Sequence, residues 1–437
     1  MTYEETCQYL FNQIPMFEKQ GASGYKEGLE NTHKLDEHFG HPHRNYLTIH
    51  VAGTNGKGSC AHTISAILQQ CGYRVGLYTS PHLADFSERI RINGHTIEEN
   101  YVVDFVSNEK SFFEPLKPSF FEVTTAMAFK YFSDMKVDIA VIEVGLGGRL
   151  DCTNIISPIL SVITNISYDH TQLLGNSLEQ IAMEKSGIMK KGVPVVIGET
   201  TPETRMVFEA VAQETGAPVI FAEDEPEVLD AEMGNNCIHY HTKHYGTIQG
   251  ELLGLYQLKN ANTILTAIRE LERMGYMYRF SDDSESEDKG KEVASGFMSV
   301  CKITGLQGRW QKISESPTVV CDTGHNVGGW EYICRQLKMV KCNKMHIVFG
   351  LVDDKDMDGI MALLPKDAIY YFTKAANKRA VSENVLKVIA AGQGLKGESY
   401  TSVIEACHSA RNAAAADDFV FIGGSSYVVA EFLKNCI

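Results

Sequence analysis

A glycine-rich stretch near residue 50 carries the residue types that bind phosphate. Residues 46–59 are Tyr-Leu-Thr-Ile-His-Val-Ala-Gly-Thr-Asn-Gly-Lys-Gly-Ser, an apolar strand pattern that leads into a turn and then a helical pattern. Glycines let backbone N–H groups face an anion, Lys57 adds a positive charge, and Ser59 offers an oxygen to a metal. The usual spacing is G-x-x-x-x-G-K-[ST], whereas Gly58 here separates Lys57 from Ser59. The stretch predicts a nucleotide phosphate loop, and an ordinary strand–turn–helix is the alternative.

Polar side chains lie at the ends of three other strand-like runs. Ser80, Glu143 and His170 each end or follow such a run. Ligands of parallel α/β sheets bind at the carboxyl ends of strands, so we expect these side chains on the face that Lys57 reaches. Oxygen ligands suit Mg²⁺, and a His ligand suits Mn²⁺ as well. The pattern predicts a metal site beside nucleotide phosphates, with a loop-capping Glu143 and a structural His170 as the alternatives.

Two further motifs are less specific. Glu184-Lys185-Ser-Gly lies inside a helical run, and its spacing alone favours a surface Glu–Lys pair. Residues 321–326, Cys-Asp-Thr-Gly-His-Asn, end a strand-like run in the last third of the chain. Such a polar cluster is of the kind that closes over a nucleotide bound to another domain.

The elements that must position these residues alternate between strand and helix, and the predicted strands include residues 75–78, 318–321 and 345–349. Near-continuous apolar strands with helices between them favour a mainly parallel sheet covered on both faces. A chain of 437 residues predicts two or three domains. The alternation resumes after residue 305, which predicts a second α/β domain of about 130 residues. The acidic residues 281–290 predict a solvated loop, and the linker between the two domains is the alternative interpretation.

Composition excludes several classes of protein. The net charge is −15 and no Lys/Arg run is present, which argues against a nucleic-acid partner. No apolar run reaches membrane-spanning length, and the first residues lack the apolar region of a secretory signal. Eleven scattered Cys, without zinc spacing, are typical of reduced thiols. We therefore expect a cytoplasmic protein without a membrane or nucleic-acid partner.

The motifs together resemble one family. They are Gly-Thr-Asn-Gly-Lys-Gly-Ser (53–59), Ser-Pro-His-Leu (80–83), Glu-Val-Gly-Leu-Gly-Gly-Arg-Leu-Asp (143–151), Asp-His-Thr (169–171), Glu-Lys-Ser-Gly-Ile (184–188) and Asp-Thr-Gly-His-Asn (322–326). In this order they resemble the folylpolyglutamate synthase/dihydrofolate synthase branch of the Mur ligase superfamily. The resemblance implies a P-loop ATPase domain with a mainly parallel sheet over residues 1–304. A smaller Rossmann-like α/β domain over residues 305–437 follows it.

The resemblance implies an ATP-dependent carboxylate–amine ligase. ATP would phosphorylate the carboxylate of dihydropteroate or a folate, and the amine of L-glutamate would then attack the acyl phosphate. The implied cofactors are ATP with Mg²⁺ or Mn²⁺, the implied partners are small molecules only, and the chain is expected to be a monomer. Phosphoryl transfer needs positive charge around the transferred group, which the loop N–H groups, Lys57 and metal ions would supply.

The resemblance also assigns roles to individual residues. It implies catalytic roles for Lys57, Lys185 and His170. The implied ATP contacts are Gly53, Thr54, Asn55, Gly56, Lys57, Gly58, Ser59, Asn260, Arg309, Asp322 and His325. The implied metal ligands are Ser59, Ser80, Glu143, His170 and Lys185, the last as a carbamate, because an ammonium group cannot ligate a metal. The implied substrate contacts are Phe121, Asp151, Arg149, His82 and Ser425, with Phe121 and Asp151 implied at the pterin and Ser425 at the glutamate pocket.

Three positions depart from the family pattern. Tyr256 stands where the family usually has His, Leu306-Gln-Gly-Arg309 replaces Trp-Pro-Gly-Arg, and Cys152 replaces Ala. A cell-wall Mur ligase is one alternative, but only 45 residues precede Tyr46, too few for its usual additional N-terminal domain. A P-loop kinase or NTP-binding module is another; it leaves Glu143, His170 and the second domain without a role. A third, an inactive scaffold, conflicts with the presence of all the expected groups.

Overall fold

The computed structural model describes residues 1–15, 28–277 and 290–436. They form two compact units: Met1–Ser167, Thr171–Glu251 and Gln257–Leu306 in the first, and Tyr168–His170, Leu252–Tyr256 and Gln307–Ile437 in the second. The acidic loop predicted at residues 281–290 lies almost wholly outside the described residues. Nowhere in the described ranges is a helix long and apolar enough to cross a membrane.

An eight-stranded sheet forms the centre of the first unit. Its strands are β1 (Leu47–Ala52), β2 (Val75–Tyr78), β3 (Ile90–Ile92), β4 (His95–Thr96), β5 (Ile139–Glu143), β6 (Leu160–Ile163), β7 (Val195–Ile197) and β8 (Val219–Phe221). The strand order is β4-β3-β2-β5-β1-β6-β7-β8. Only β3 and β4, at one edge, pair antiparallel. The predicted mainly parallel sheet is therefore confirmed.

Helices cover this sheet, and its central strands β1 and β5 are buried along almost their whole length. The helices of the first unit are α1 (Tyr3–Gln13), α2 (Glu30–His38), α3 (Lys57–Gln70), α4 (Glu99–Phe113), α5 (Phe120–Asp134), α6 (Thr171–Leu174), α7 (Leu178–Ser186), α8 (Pro202–Thr215), α9 (Gln257–Arg273), α10 (Lys291–Met298) and α11 (Val300–Thr304). Short 3₁₀ turns lie at Pro42–Arg44, Phe86–Arg89, Glu114–Leu116 and Cys152–Ile155. In the sheet, Val51 of β1 lies opposite Glu143 of β5 and Val162 of β6, so three strand ends meet where the phosphate loop begins.

A small antiparallel sheet adds to the first unit. Its strands are β9 (Val228–Met233), β10 (Ile238–Thr242) and β11 (Thr247–Gly250), in the order β11-β10-β9. The central strand alternates buried and half-buried residues, whereas β9 is mostly exposed. This sheet was not predicted.

The second unit contains a six-stranded sheet. Its strands are β12 (Gln311–Glu315), β13 (Thr318–Cys321), β14 (Met345–Phe349), β15 (Ile369–Thr373), β16 (Lys396–Tyr400) and β17 (Phe419–Gly423), in the order β12-β13-β17-β14-β15-β16. All pair in parallel except β12 with β13. Its helices are α12 (Val327–Leu337), α13 (Met357–Leu363), α14 (Glu383–Gly392), α15 (Val403–Ala413) and α16 (Ser426–Asn435). The predicted smaller α/β domain thus has the expected parallel core, with Trp330 and Phe421 packed in it.

Candidate active site

The loop between β1 and α3 depends on two glycines. Gly53 (φ +143°) and Gly56 (φ +87°) both adopt the left-handed conformation that side chains disfavour. A Cβ on Gly53 would overlap the side chain of Thr164, and one on Gly56 would overlap the side-chain oxygen of Asn260. Glycine is therefore required both for the turn and for the close approach of its neighbours.

The chain that follows β6 fixes the shape of this loop. The backbone N–H of Thr54 donates to the Asn165 carbonyl, and that of Asn55 donates to Asn165 Oδ1, both over 2.9 Å. The Ser167 N–H donates to Thr54 Oγ1 at 3.1 Å. These contacts hold the loop in one conformation; the sequence analysis did not identify Asn165 or Ser167.

Lys57 and the first turn of α3 provide the positive end of the site. Lys57 Nζ donates to the carbonyls of Gly53 and Thr54, each at 3.1 Å, so the ammonium is held over the loop. The N-cap of α3 is Gly56, and no side chain caps the helix. The N–H groups of a helix's first turn and its dipole favour an anion there. The arrangement can bind a phosphate group.

Ser59 is held by a residue that sequence reasoning missed. Gln257, the first residue of α9, donates from Nε2 to Ser59 Oγ at 3.1 Å, and its Oε1 accepts from Asn260 Nδ2 at 2.9 Å. One amide thus orients both the hydroxyl predicted to bind metal and the Asn predicted to contact ATP. Gln257 lies between Tyr256 and Asn260, both of which the sequence analysis named, but it was not itself assigned a role.

Ser80 and Glu143 lie together, as predicted from the strand ends. The Ser80 N–H donates to Glu143 Oε2 at 3.2 Å, across the pairing of β2 with β5. Glu143 is only 4% exposed. Burying a carboxylate is costly unless hydrogen bonds or a cation compensate, so Glu143 fits a place beside a cation.

Lys185 is buried, so the interpretation of Glu184-Lys185 as a surface pair is wrong for the lysine. Lys185 is 4% exposed on α7, whereas Glu184 accepts from Arg149 Nη2 at 2.8 Å. A Cβ on Gly148 would lie 2.7 Å from the Glu184 carbonyl. The glycine-rich loop after β5 therefore packs closely on the end of α7, and Arg149 is paired there with an acid.

Several residues predicted to contact substrate lie on α5 and in the loops after β2 and β5. The Phe121 ring stacks with Tyr78 at a centroid distance of 5.8 Å. His82 Nδ1 accepts from Arg89 Nε at 2.8 Å, and its ring lies 5.7 Å from that of Phe11. The aromatic faces and ring nitrogens here suit a flat heteroaromatic ligand.

Asp151 closes the loop that follows β5. Its Oδ2 accepts from the Leu146 N–H at 2.8 Å, and its Oδ1 accepts from both the N–H and the hydroxyl of Thr153. Burial raises the pKa of the Asp151 carboxyl, and the hydrogen bonds from Thr153 and the loop oppose that rise. The buried carboxyl thus bridges the two ends of its loop.

Asp322 forms a hydrogen-bonded centre in the second unit. Its Oδ2 accepts from Tyr256 Oη at 2.6 Å and from the Trp310 N–H at 2.7 Å, and its Oδ1 accepts from the Gly324 N–H at 2.8 Å. Burial raises the pKa of Asp322, whereas the Tyr256 hydrogen bond and the charge of Arg309 act to lower it. Tyr256, the departure from the family pattern, therefore has a defined partner.

The predicted ATP contacts Arg309 and His325 lie on either side of Thr323. The Arg309 guanidinium donates to the Thr323 hydroxyl and, at 3.2 Å, to the Gly308 carbonyl. His325 Nδ1 lies 3.1 Å from the Thr323 carbonyl oxygen. Both side chains are thus fixed by the loop after β13.

Asp169 joins a second polar centre in the same unit. It contacts Lys355 Nζ at 2.5 Å, Asn326 Nδ2 at 3.0 Å and His325 Nε2 at 3.4 Å. Burial raises the pKa of Asp169, but the His325 hydrogen bond and the charge of Lys355 oppose that rise, and the pKa lies well below its usual range. Lys355 was not predicted, because nothing in its local sequence points to Asp169.

His170, a predicted metal ligand, has a positive φ of 48° and lies beside this centre. Its Nδ1 is 3.8 Å from Asp354 Oδ2, and its Nε2 is 3.8 Å from Asp169 Oδ1. Burial lowers the pKa of His170 to about 3, so the imidazole is neutral near pH 7. A neutral imidazole is the form that binds a metal.

Ser425 is the N-cap of α16. Its Oγ accepts from the Val428 N–H at 3.3 Å, and the residue is buried. This is a structural role, and the predicted contact with substrate remains a prediction. In the described residues, no three His, Cys, Asp or Glu side chains form a group that could hold a metal ion.

Comparisons with known protein families identify both parts of the chain. Residues 51–268 match the Mur ligase middle domain, and residues 308–426 match the Mur ligase, glutamate ligase domain. The fold and the phosphate loop therefore define a protein of the Mur ligase class.

Individual relatives narrow the class. The chain is 32% identical to the Bacillus subtilis dihydrofolate synthase/folylpolyglutamate synthase over 94% of this chain and 95% of that protein. It is similar, with a TM-score of 0.82 and 28% identity, to the Yersinia pestis folylpolyglutamate synthase/dihydrofolate synthase complexed with AMPPNP and a Mn ion, covering 100% and 98% of the two chains. The chain belongs to the dihydrofolate synthase/folylpolyglutamate synthase family.

A further relative is longer than this chain. The chain is 33% identical, over 99% of its length, to a probable bifunctional folylpolyglutamate synthase/dihydropteroate synthase of Haloferax volcanii. It spans half of that protein's length.

Proposed function

We propose that this chain uses ATP to join L-glutamate to dihydropteroate and to folates that already carry glutamate. The observation that carries the proposal is the phosphate loop, in which two left-handed glycines and Lys57 shape an anion site at the start of α3. Family membership supports the choice of glutamate and pterin substrates. We also propose the domain boundary near Gly305, a cytoplasmic location and a monomeric state.

The proposed reaction has two steps, phosphorylation of the substrate carboxylate and attack of the glutamate amine on the acyl phosphate. A substrate carboxylate oxygen attacks the γ-phosphorus of ATP, the bond to the bridging oxygen breaks, and ADP leaves. The glutamate amine then attacks the acyl carbon, inorganic phosphate leaves with the C–O bond pair, and the amine loses its proton. Lys57 and the first-turn N–H groups of α3 stabilise the negative charge that builds on the transferred phosphoryl group.

The proposed metal ligands are Ser59, Ser80, Glu143, His170 and a carbamylated Lys185. The donor types fit a Mg²⁺ or Mn²⁺ ion, because they combine a hydroxyl held by Gln257, a buried carboxylate and a neutral imidazole. When bound, such an ion neutralises phosphate charge. A buried Lys185 fits the carbamate assignment, since carbamylation replaces the ammonium with two oxygen donors.

The proposed nucleotide and substrate contacts are those that the family resemblance implies. Nucleotide contacts come from residues 53–59, Asn260, Arg309, Asp322 and His325. Substrate contacts come from Phe121, His82, Arg149, Asp151 and Ser425, with Phe121 and Asp151 at the pterin. Arg149 must leave its pairing with Glu184, or share it, to bind a substrate carboxylate.

The test is phosphate release from Mg-ATP with L-glutamate, comparing 7,8-dihydropteroate with a reduced folate as the second substrate. We expect release with both, and none when either L-glutamate or the pterin is omitted. Release with folate alone would restrict the function to polyglutamylation. ATP turnover that is independent of both organic substrates would instead favour a P-loop NTP-binding module, and release with neither would refute the substrate class.

A further inference from the structure

A histidine in the core of the first unit is not explained by packing. His50 lies in the middle of β1, is fully buried, and stands three positions before Gly53. Its Nε2 lies 2.8 Å from Thr153 Oγ1. A polar ring in the centre of a parallel sheet is costly to bury, so its single contact is informative.

The contact continues to the Asp151 carboxylate. The Thr153 hydroxyl donates to Asp151 Oδ1, which also accepts from the Thr153 N–H at 2.9 Å. A hydroxyl has one proton, and Thr153 gives it to Asp151, so the Thr153 oxygen must accept from His50. His50 therefore carries its proton on Nε2.

The other ring nitrogen agrees with this tautomer. His50 Nδ1 is buried and has no hydrogen-bond partner within the described part of the chain. A proton on that nitrogen would leave a buried donor unsatisfied. Burial, with the charge of Lys190, lowers the pKa of His50 to about 3, so the ring has a single proton at neutral pH.

We propose that His50 and Thr153 are positioning residues for the pterin end of the substrate, acting through a one-directional relay from His50 Nε2–H to the Thr153 hydroxyl to Asp151. The inference rests on the proposed function, which places Asp151 at the pterin. The relay fixes the carboxylate against β1, the strand that leads into the phosphate loop. It also supplies a donor that favours the ionised carboxylate, the form that accepts from the amino and ring N–H groups of an aminopyrimidine.

The kinetic test uses Thr153→Val, which keeps the side-chain shape and removes the hydroxyl, with Thr153→Ser to restore it. Thr48→Val is the matched control, since Thr48 is a buried threonine of β1, the strand that contains His50. We expect Thr153→Val to raise the KM for dihydropteroate about tenfold or more, the effect of losing one hydrogen bond to a buried charge. The KM for ATP should change less than about twofold, and Thr153→Ser and Thr48→Val should resemble the wild type. An unchanged KM for dihydropteroate in folded Thr153→Val would overturn the proposal.

A second measurement does not depend on turnover. In the wild-type protein labelled with ¹⁵N-histidine, the ¹⁵N spectrum should show His50 protonated on Nε2 and bare on Nδ1, unchanged from pH 6 to pH 9. The opposite tautomer would overturn the relay even if Thr153→Val failed to fold. Asp151→Asn separates the two proposals. If this variant leaves the KM for dihydropteroate unchanged, the assignment of Asp151 to the pterin fails, and the pterin role of the relay fails with it. The ¹⁵N spectrum still decides whether the relay itself exists.

Discussion

The hydrogen bond from Tyr256 to Asp322 should contribute measurably to the stability of the second unit. The bond is 2.6 Å long, Asp322 is buried and Tyr256 is half-buried, and the acceptor is a carboxylate. Hydrogen bonds to charged groups contribute about 1.5–3 kcal/mol, against about 0.5–1.5 kcal/mol for neutral pairs. Tyr256→Phe should lower the free energy of unfolding by an amount in the first range, because Asp322 keeps its two backbone donors.

The chain offers both a reporter and a control. Its two tryptophans, Trp310 and Trp330, lie in the second unit, so tryptophan fluorescence during urea unfolding follows that unit. Tyr370 of the second unit is the control: it is fully buried, and its hydroxyl donates to the neutral carbonyl of Pro365. Tyr370→Phe should therefore cost less than Tyr256→Phe, with both m-values unchanged.

The stability difference between the wild type and Tyr256→Phe should depend on pH in a defined direction. Burial raises the pKa of Asp322, and the Tyr256 bond favours its ionised form. The contribution of Tyr256 is therefore present above the pKa of Asp322 and is lost as the pH falls through it. The difference between wild type and Tyr256→Phe should shrink towards acid pH. A cost equal to that of Tyr370→Phe at pH 7, or a difference that grows on acidification, would refute a charge-assisted bond.

Three further predictions concern catalysis. Lys57→Ala should abolish ATP-dependent ligation with an unchanged circular dichroism spectrum, because it removes a phosphate contact and little core volume; near-normal turnover would contradict the loop assignment. Lys185→Ala should lose activity, and removal of dissolved CO₂ and bicarbonate should slow the wild type; a wild type indifferent to CO₂ would count against the carbamate. Gly56→Ala should raise the KM for ATP and destabilise the protein by about 1–3 kcal/mol, because Gly56 has a left-handed φ and Asn260 occupies the place of a Cβ; wild-type values for both would argue against a fixed loop.

Strands with continuous apolar sequence could be predicted from the sequence, and strands without it could not. The runs predicted at 75–78, 318–321 and 345–349 agree with β2, β13 and β14 residue for residue, because a strand buried on both faces needs apolar residues throughout. The exposed edge strand β16, Lys-Gly-Glu-Ser-Tyr, has no such pattern. Its pairing with β15 is set by tertiary structure, which local propensity does not encode.

In the candidate site too, some contacts could be predicted from the sequence and others could not. The contact of Ser80 with Glu143 followed from a general rule, since carboxyl ends of adjacent parallel strands lie together. The contacts of Gln257 with Ser59 and of Lys355 with Asp169 join residues 198 and 186 positions apart. No local spacing indicates such pairs, and only the folded chain shows which amide or ammonium reaches which oxygen.

The three buried aspartates Asp151, Asp322 and Asp169 differ in the direction of their pKa shifts, a difference that the sequence does not show. Asp151 and Asp322 accept from N–H and O–H donors, and for both the cost of burial prevails and raises the pKa. Asp169 has a hydrogen bond with His325 and contacts the ammonium of Lys355, and its pKa is lowered instead. A carboxylate already neutralised by a lysine gains little from a further cation, because its charge is compensated. We therefore expect Asp169 to orient His170 and His325, and the cation-binding role of Glu143 stays a prediction.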